Sequence, residues 1–245
     1  MSTKFKKYEP LIANAVGIYW QTLKKQSAKQ AQGSADRGNR SAVTGGKQMD
    51  GFCALIRQVL LDAGLKEAQI HLKKKLELPG YYRPTKNWDM LIVSDDTLLA
   101  ALEFKSQRGP SFGNNFNNRA EEAIGTATDL WVSHREGAFG KNAQAPWLGW
   151  VMLLEDCKGS TEPVAVAEPH YKVFPEFRGA SYAKRYEILL RRLVAERLYN
   201  GAAFLMATDQ SGPEGKYAEP AKDLGMLTLL AGLAGHIGVH LASKE

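Results

Sequence analysis

Cysteine is scarce: the 245 residues include two, Cys53 and Cys157, with no CxxC spacing. Both sit in apolar sequence, so buried free thiols are expected and a zinc site is not. No run of about 18 uncharged apolar residues occurs, so no transmembrane helix is expected. The opening residues Met1-Ser-Thr-Lys-Phe-Lys-Lys form no apolar signal region, and the expected location is cytoplasmic, with no membrane partner. A Walker-type G-K-[ST] loop is missing, and the G-x-x-G-x-x-G of Gly232, Gly235 and Gly238 follows no strand, so nucleotide binding has no support. His236 and His240 lie four apart, but no glutamate follows the first; H-E-x-x-H chemistry is absent and the pair reads as structural. Acidic residues are outnumbered, 26 against 32 Lys and Arg, giving a net charge of +6. That balance favours a polyanionic partner. Apolar content of 44% and charged content of 24% are those of a soluble globular chain.

What the chain does hold is one stretch with charged groups at core positions, W-D-M-L-I-V-S-D-D-T-L-L-A-A-L-E-F-K at 88–105. Two apolar runs, Met90–Val93 and Leu98–Leu102, flank Ser94-Asp95-Asp96-Thr97, the form of a β-hairpin with a tight polar turn. Strand alternation puts Leu99, Ala101, Glu103 and Lys105 on one face, and Leu98, Ala100, Leu102 and Phe104 on the other. A three-residue turn, with Ser94 facing Leu98, sets Asp89 opposite Glu103. A two-residue turn needs a bulge to do the same. Two carboxylates and an ammonium then converge at one strand end.

Such a cluster is costly inside a protein unless something compensates it. A divalent cation does so: Mg²⁺ takes carboxylate oxygens, keeps several waters and leaves positions open for a phosphate. The lysine can orient or deprotonate an attacking water while the cation stabilises charge on phosphorus. This is phosphodiester hydrolysis chemistry.

Asp89, thirteen further residues, then Glu103-Phe104-Lys105 resembles the PD-(D/E)XK nuclease signature, with Asn87-Trp88 where a proline often precedes the aspartate. Over essentially its full length the chain resembles the XhoI-type restriction endonucleases. G-K-Q-M-D-G-F-C-A-L-I at 46–56 and L-E-F-K-S-Q-R-G-P-S-F-G-N-N-F-N-N-R at 102–119 carry that resemblance, together with the length and the basic balance. It implies an α/β fold: a mixed central β-sheet flanked by helices, a restriction-endonuclease-like αβββαβ core with N- and C-terminal helical additions. It implies one endonuclease domain over 1–245, divided into an N-terminal helix and mobile basic loop (1–46), a catalytic core (47–157) and a C-terminal strand with helices (158–245). Asp89 and Glu103 would bind Mg²⁺ with the Phe104 carbonyl, and Lys105 would position and activate water. The implied activity is type II cleavage of double-stranded DNA at the palindrome CTCGAG, restricting foreign DNA. A two-fold homodimer and a cognate DNA methyltransferase as functional partner complete the expectation. Two rivals remain at this stage: a structure-selective or repair nuclease with the same triad, and a non-enzymatic DNA-binding protein.

Taken in order, the chain begins with apolar residues at helical spacing from Tyr8 to about Gln32. The glycine-rich segment 33–46 reads as a mobile loop carrying Arg37, Asn39 and Arg40, either base readers or plain surface. Gln48 to Ala63 is a helix with Asp50 in its first turn, where it complements the dipole or, as the resemblance implies, touches a metal or the lysine. Ile70–Leu76 alternates as a strand with one wet basic face. Beyond Lys105, the asparagine-rich 106–119 reads as a loop. Gln107, Arg108, Asn114, Asn115, Asn118 and Arg119 are its candidate DNA contacts, with Gln107 on the Glu103 face. Asn118 should start a helix with Glu121 as capping-box partner. Trp147–Leu154 is a strand buried on both faces. A helix from Ser181 through Tyr199, a strand at Ala202–Ala207 and a final helix from Pro220 complete the reading.

Overall fold

The computed structural model describes residues 3–31 and 47–244. Helix α1, Glu9–Ala31, buries Ile12, Ala15, Tyr19 and Trp20, and helix α2, Asp50–Asp62, buries Phe52, Leu55, Ile56 and Leu60. The two cross where Gly51 meets Ala15: a Cβ on Gly51 would stand 2.8 Å from the Ala15 Cα, so only glycine lets the backbones approach. The candidate loop residues Arg37, Asn39 and Arg40 lie outside the described residues.

Among the described residues seven strands follow, in the order β1 Ile70–His71, β2 Glu77–Pro79, β3 Thr85–Asn87, β4 Met90–Ser94, β5 Thr97–Gln107, β6 Trp147–Glu155 and β7 Gly201–Ala207. Five form a mixed sheet ordered β1-β4-β5-β6-β7, antiparallel through β4 and β5 and parallel from β5 to β7. The parallel steps need crossovers, supplied by α3, Phe112–Arg135, and α4, Tyr182–Ala195; α5, Met226–Ala242, ends the fold. Helices α1, α2 and α5 cover one sheet face around Met90, Leu102 and Val151. Helices α3 and α4 cover the other around Leu91, Ala101 and Trp150. The α2-β1-β4-β5-α3-β6 succession is the expected αβββαβ order within an α/β frame.

The hairpin turn holds two residues, not three. Ser94 pairs with Thr97, and Asp95 and Asp96 take positive φ of 47° and 59°, the twist that suits a tight hairpin. A register shift between Ile92 and Val93 then inserts Leu99 as an extra residue. The bulge resets alternation, so Leu98 packs on the α3 side and Leu99 on the α2 side, the reverse of the uninterrupted-strand expectation. Past the bulge Met90 pairs with Leu102, and the same register continued sets Asp89 opposite Glu103.

Other expectations are corrected. The strand predicted over Ile70–Leu76 stops at His71, because Lys73, Lys74 and Lys75 bend away and Lys75 adopts φ 59°. A separate two-stranded ribbon, β2 with β3, fills the interval before Trp88. Helix α3 begins at Phe112 rather than Asn118, since Phe112 stacks on Tyr182 and Phe116 meets Tyr186 edge-on. Those contacts override the weak helix propensity of Gly113-Asn114-Asn115. Helix α4 stops at Ala195, short of Tyr199, where Arg197 takes φ 58°. Helix α5 starts at Met226, not Pro220; the Glu219 carboxylate accepts the Met226 N–H at 2.7 Å and so satisfies its first turn. Both cysteines are free but half-buried rather than buried.

Candidate active site

The bulge delivers Asp89 to β5. Its Oδ2 accepts the backbone N–H of Phe104 at 2.8 Å, between Glu103 and Lys105. On β5, Glu103 is 1% exposed and each of its oxygens meets a separate ammonium: Lys105 Nζ at 2.6 Å from Oε2 and Lys86 Nζ at 2.5 Å from Oε1. Lys105 also reaches Glu122 of α3 at 2.7 Å, and Arg119 holds the other oxygen of that carboxylate at 2.5 Å. Two carboxylates and three cations thus alternate in one network, Lys86–Glu103–Lys105–Glu122–Arg119, with the Asp89 carboxylate beside it. A carboxylate this deep has little water to solvate it, which is why it is paired on both oxygens.

Burial pushes the Glu103 carboxyl above the usual carboxylate range, and Asp89 adds to the effect; Lys105 and Lys86 oppose it. For Lys105 burial disfavours charge, yet Glu103, Asp89 and Glu122 outweigh it and hold the amine above its ordinary value. Lys105 is therefore an ammonium at neutral pH, suited to donate hydrogen bonds to water or phosphate rather than to take a proton.

A cavity of about 740 Å³ opens over this strand end, lined by Asp50, Cys53, Asp89, Lys105, Ser106 and Arg119 among others. Asp50 enters from the first turn of α2, and burial pushes the Cys53 thiol up to about 12, with Asp89 and Asp50 contributing. The second-rank acid of the sequence reading thus shares the cavity with Asp89. Among the described residues no three His, Cys, Asp or Glu side chains converge on one point. A cation here would take the carboxylates of Asp89 and Glu103 and complete its shell with backbone carbonyl and water. That donor set suits a hard divalent ion that retains its hydration.

The candidate DNA contacts separate. Arg119 reaches the cavity, whereas Arg108 is exposed and lies 5.6 Å from the Trp20 ring. Asn114 and Asn118 share the exposed side of the first turns of α3, and Asn115 is half-buried. Gln107 does lie on the Glu103 side of β5, but it is 3% exposed with both ends of its amide engaged. Its Nε2 donates to the Phe112 carbonyl at 3.0 Å, and Tyr186 donates to its Oε1. It fastens α3 and α4 to the strand.

Two residues escaped the sequence reading. Lys86 stands on β3, outside the main sheet, so no strand period points to it. Glu122 was hidden by the late helix start: counted from Phe112, residues 115, 119 and 122 fall on one helical face.

A mixed sheet whose bulged hairpin joins an aspartate to a Glu-x-Lys strand, beside a helix-walled cavity, is consistent with a restriction-endonuclease-like core. The chain belongs to the restriction endonuclease XhoI family, whose description matches residues 28–219. It is 52% identical over 219 residues to the type II restriction enzyme BstVI of Geobacillus stearothermophilus, covering 87% of this chain and 97% of that one. It is 46% identical over 196 residues to the type II restriction enzyme XhoI of Xanthomonas vasicola, covering 79% and 78% of the two chains. With AbrI of Azospirillum brasilense, also a type II restriction enzyme, identity is 49% over 174 residues, 70% and 78% of the two chains. No solved structure matches. Family membership makes the activity that of a type II restriction endonuclease, with DNA as partner and a divalent metal requirement. Among the described residues no helix is long and apolar enough to cross a membrane.

Proposed function

We propose that Asp89, Glu103 and Lys105 are the hydrolytic centre, that the cation is Mg²⁺, and that the substrate is double-stranded DNA carrying CTCGAG. The observation that carries the reading is the Asp89 carboxylate fastened to the Phe104 amide at 2.8 Å, between Glu103 and Lys105, with Asp89 and Lys105 on the cavity wall and Glu103 buried behind it. When bound, Mg²⁺ held by Asp89, Glu103 and the Phe104 carbonyl supplies the positive charge that offsets charge developing on phosphorus. Lys105, kept as an ammonium by three carboxylates, orients the attacking water and neutralises a phosphate oxygen. Arg119, fixed by Glu122 at the same cavity, is positioned for a DNA phosphate.

The biological setting we propose is that of a cytoplasmic enzyme of one domain that restricts foreign DNA while a cognate methyltransferase protects host sites. A palindrome is read symmetrically by a two-fold homodimer, one centre per strand. The test is a plasmid digest with and without Mg²⁺, using wild type and Glu103→Ala. Discrete fragments ending at CTCGAG, absent without Mg²⁺ and reduced by several orders of magnitude in the variant, are expected. Cutting at other sequences, or undiminished cutting by Glu103→Ala, overturns the assignment.

A further inference from the structure

Glu103 is sealed, with one ammonium on each oxygen, and the two ammoniums are not equivalent. Lys105 belongs to the central strand β5 and has a second carboxylate partner in Glu122. Among the described residues Lys86 ion-pairs with Glu103 alone; it also donates to the Asn87 carbonyl and lies 5.2 Å from the Trp88 ring. It rides on the three-residue strand β3, paired only with β2. The Tyr81 and Tyr82 side chains at the tip of that ribbon are exposed, while their backbone N–H groups are held by Asp129 of α3. With one carboxylate partner against two for Lys105, the Lys86 side chain is the less firmly held of the pair.

A divalent cation that takes Glu103 as a ligand meets Lys86 already on one carboxylate oxygen. Two positive groups within hydrogen-bond distance of one buried carboxylate repel strongly where little water screens them. Without the cation, an unpaired Glu103 at this depth would be expensive. We propose that Lys86 is a removable counter-ion: it neutralises Glu103 while the metal is absent and leaves that oxygen when the cation enters. The released ammonium stays at the site on its short ribbon, free to meet a DNA phosphate. The inference rests on Glu103 being a metal ligand, and its test separates the two claims.

Tb³⁺ is titrated into DNA-free wild type, Lys86→Met and Glu103→Gln, with luminescence sensitised by Trp88 and Trp150 as readout. Removing the competing ammonium should tighten Tb³⁺ binding at least tenfold in Lys86→Met, and Glu103→Gln should abolish the site. Equal or weaker binding by Lys86→Met, with Glu103 still required, overturns the counter-ion role alone. Binding indifferent to Glu103 overturns the metal reading, and this proposal with it. A second measurement needs no variant: acetylation of Lys86 in the wild-type protein, read by mass spectrometry with and without saturating Ca²⁺. Lys86 is 17% exposed in its pair with Glu103, and its labelling should rise severalfold when Ca²⁺ binds. An unchanged labelling rate overturns the proposal.

Discussion

The Asp89 carboxylate and the Phe104 backbone N–H are joined at 2.8 Å, and this one bond ties the end of β4 to the residue between Glu103 and Lys105. It gives Asp89 two separable duties, a strand tether and a negative charge. Asp89→Asn keeps an oxygen that can accept the Phe104 amide and removes the charge. Its melting temperature should stay within a few degrees of wild type while cleavage falls by roughly three orders of magnitude or more. Asp89→Ala removes the tether as well and should lose about 1–2 kcal/mol of stability. Parallel melting curves and single-turnover cleavage assays check the split, and near-wild-type cleavage by Asp89→Asn would sink the assigned role.

That tether explains which parts of the site were legible in the sequence. Period-two alternation and a polar turn predict the hairpin, and alternation alone places Glu103 with Lys105. Pairing Asp89 with Glu103 needed one more residue in β5. The sequence admits a longer turn or a bulge, and the choice of a two-residue turn with a bulge at Leu99 is made by packing on both sheet faces. Lys86 was illegible because its position depends on the β2–β3 ribbon, whose three-residue strands carry no periodic signal. Glu122 was missed for a related reason. Asparagine and glycine argue locally for a loop at 112–118, and only the burial of Phe112 against α4 turns that segment into helix.

Away from the cavity, the α1–α2 corner carries a charge whose pH response is calculable. Asp62 accepts from Lys7 Nζ and from the Tyr8 hydroxyl, each at 2.8 Å, and from Gln58. These bonds, the one from Lys7 foremost, lower its carboxyl to about 2 from an ordinary 3.8. A depressed folded-state value means that the stabilisation is complete above 3.8 and disappears as pH falls toward 2. Wild type should therefore exceed Asp62→Asn in stability by a constant margin from pH 5 to 8. The margin should shrink between pH 4 and 2. Urea denaturation at intervals across that range measures it, and a margin that grows on acidification would contradict the sign.

The ribbon that carries Lys86 is itself anchored by α3. Asp129 is 4% exposed, and its Oδ1 accepts the Tyr81 and Tyr82 backbone N–H groups at 2.8 and 2.9 Å while Oδ2 takes Arg83 Nε at 2.6 Å. Burial alone would raise this carboxyl, but the three donors outweigh burial and hold it below the usual range. Asp129 lies two helical turns from Glu122, so one face of α3 fixes both the partner of Lys105 and the loop that presents the β3 strand. Removing the carboxylate leaves three donors without their acceptor, and charged hydrogen bonds of this kind contribute about 1.5–3 kcal/mol. Asp129→Ala should lose about 2 kcal/mol in urea denaturation and open the 80–84 segment. Chymotrypsin should then cut after Tyr81 or Tyr82 severalfold faster than in wild type. Asp129→Asn, which keeps an oxygen for the two backbone donors and loses the charge facing Arg83, should fall between the two. A cleavage rate at these tyrosines that is the same in all three proteins would mean that the tip is held by something other than Asp129. The path from α3 to Lys86 would then have to be redrawn.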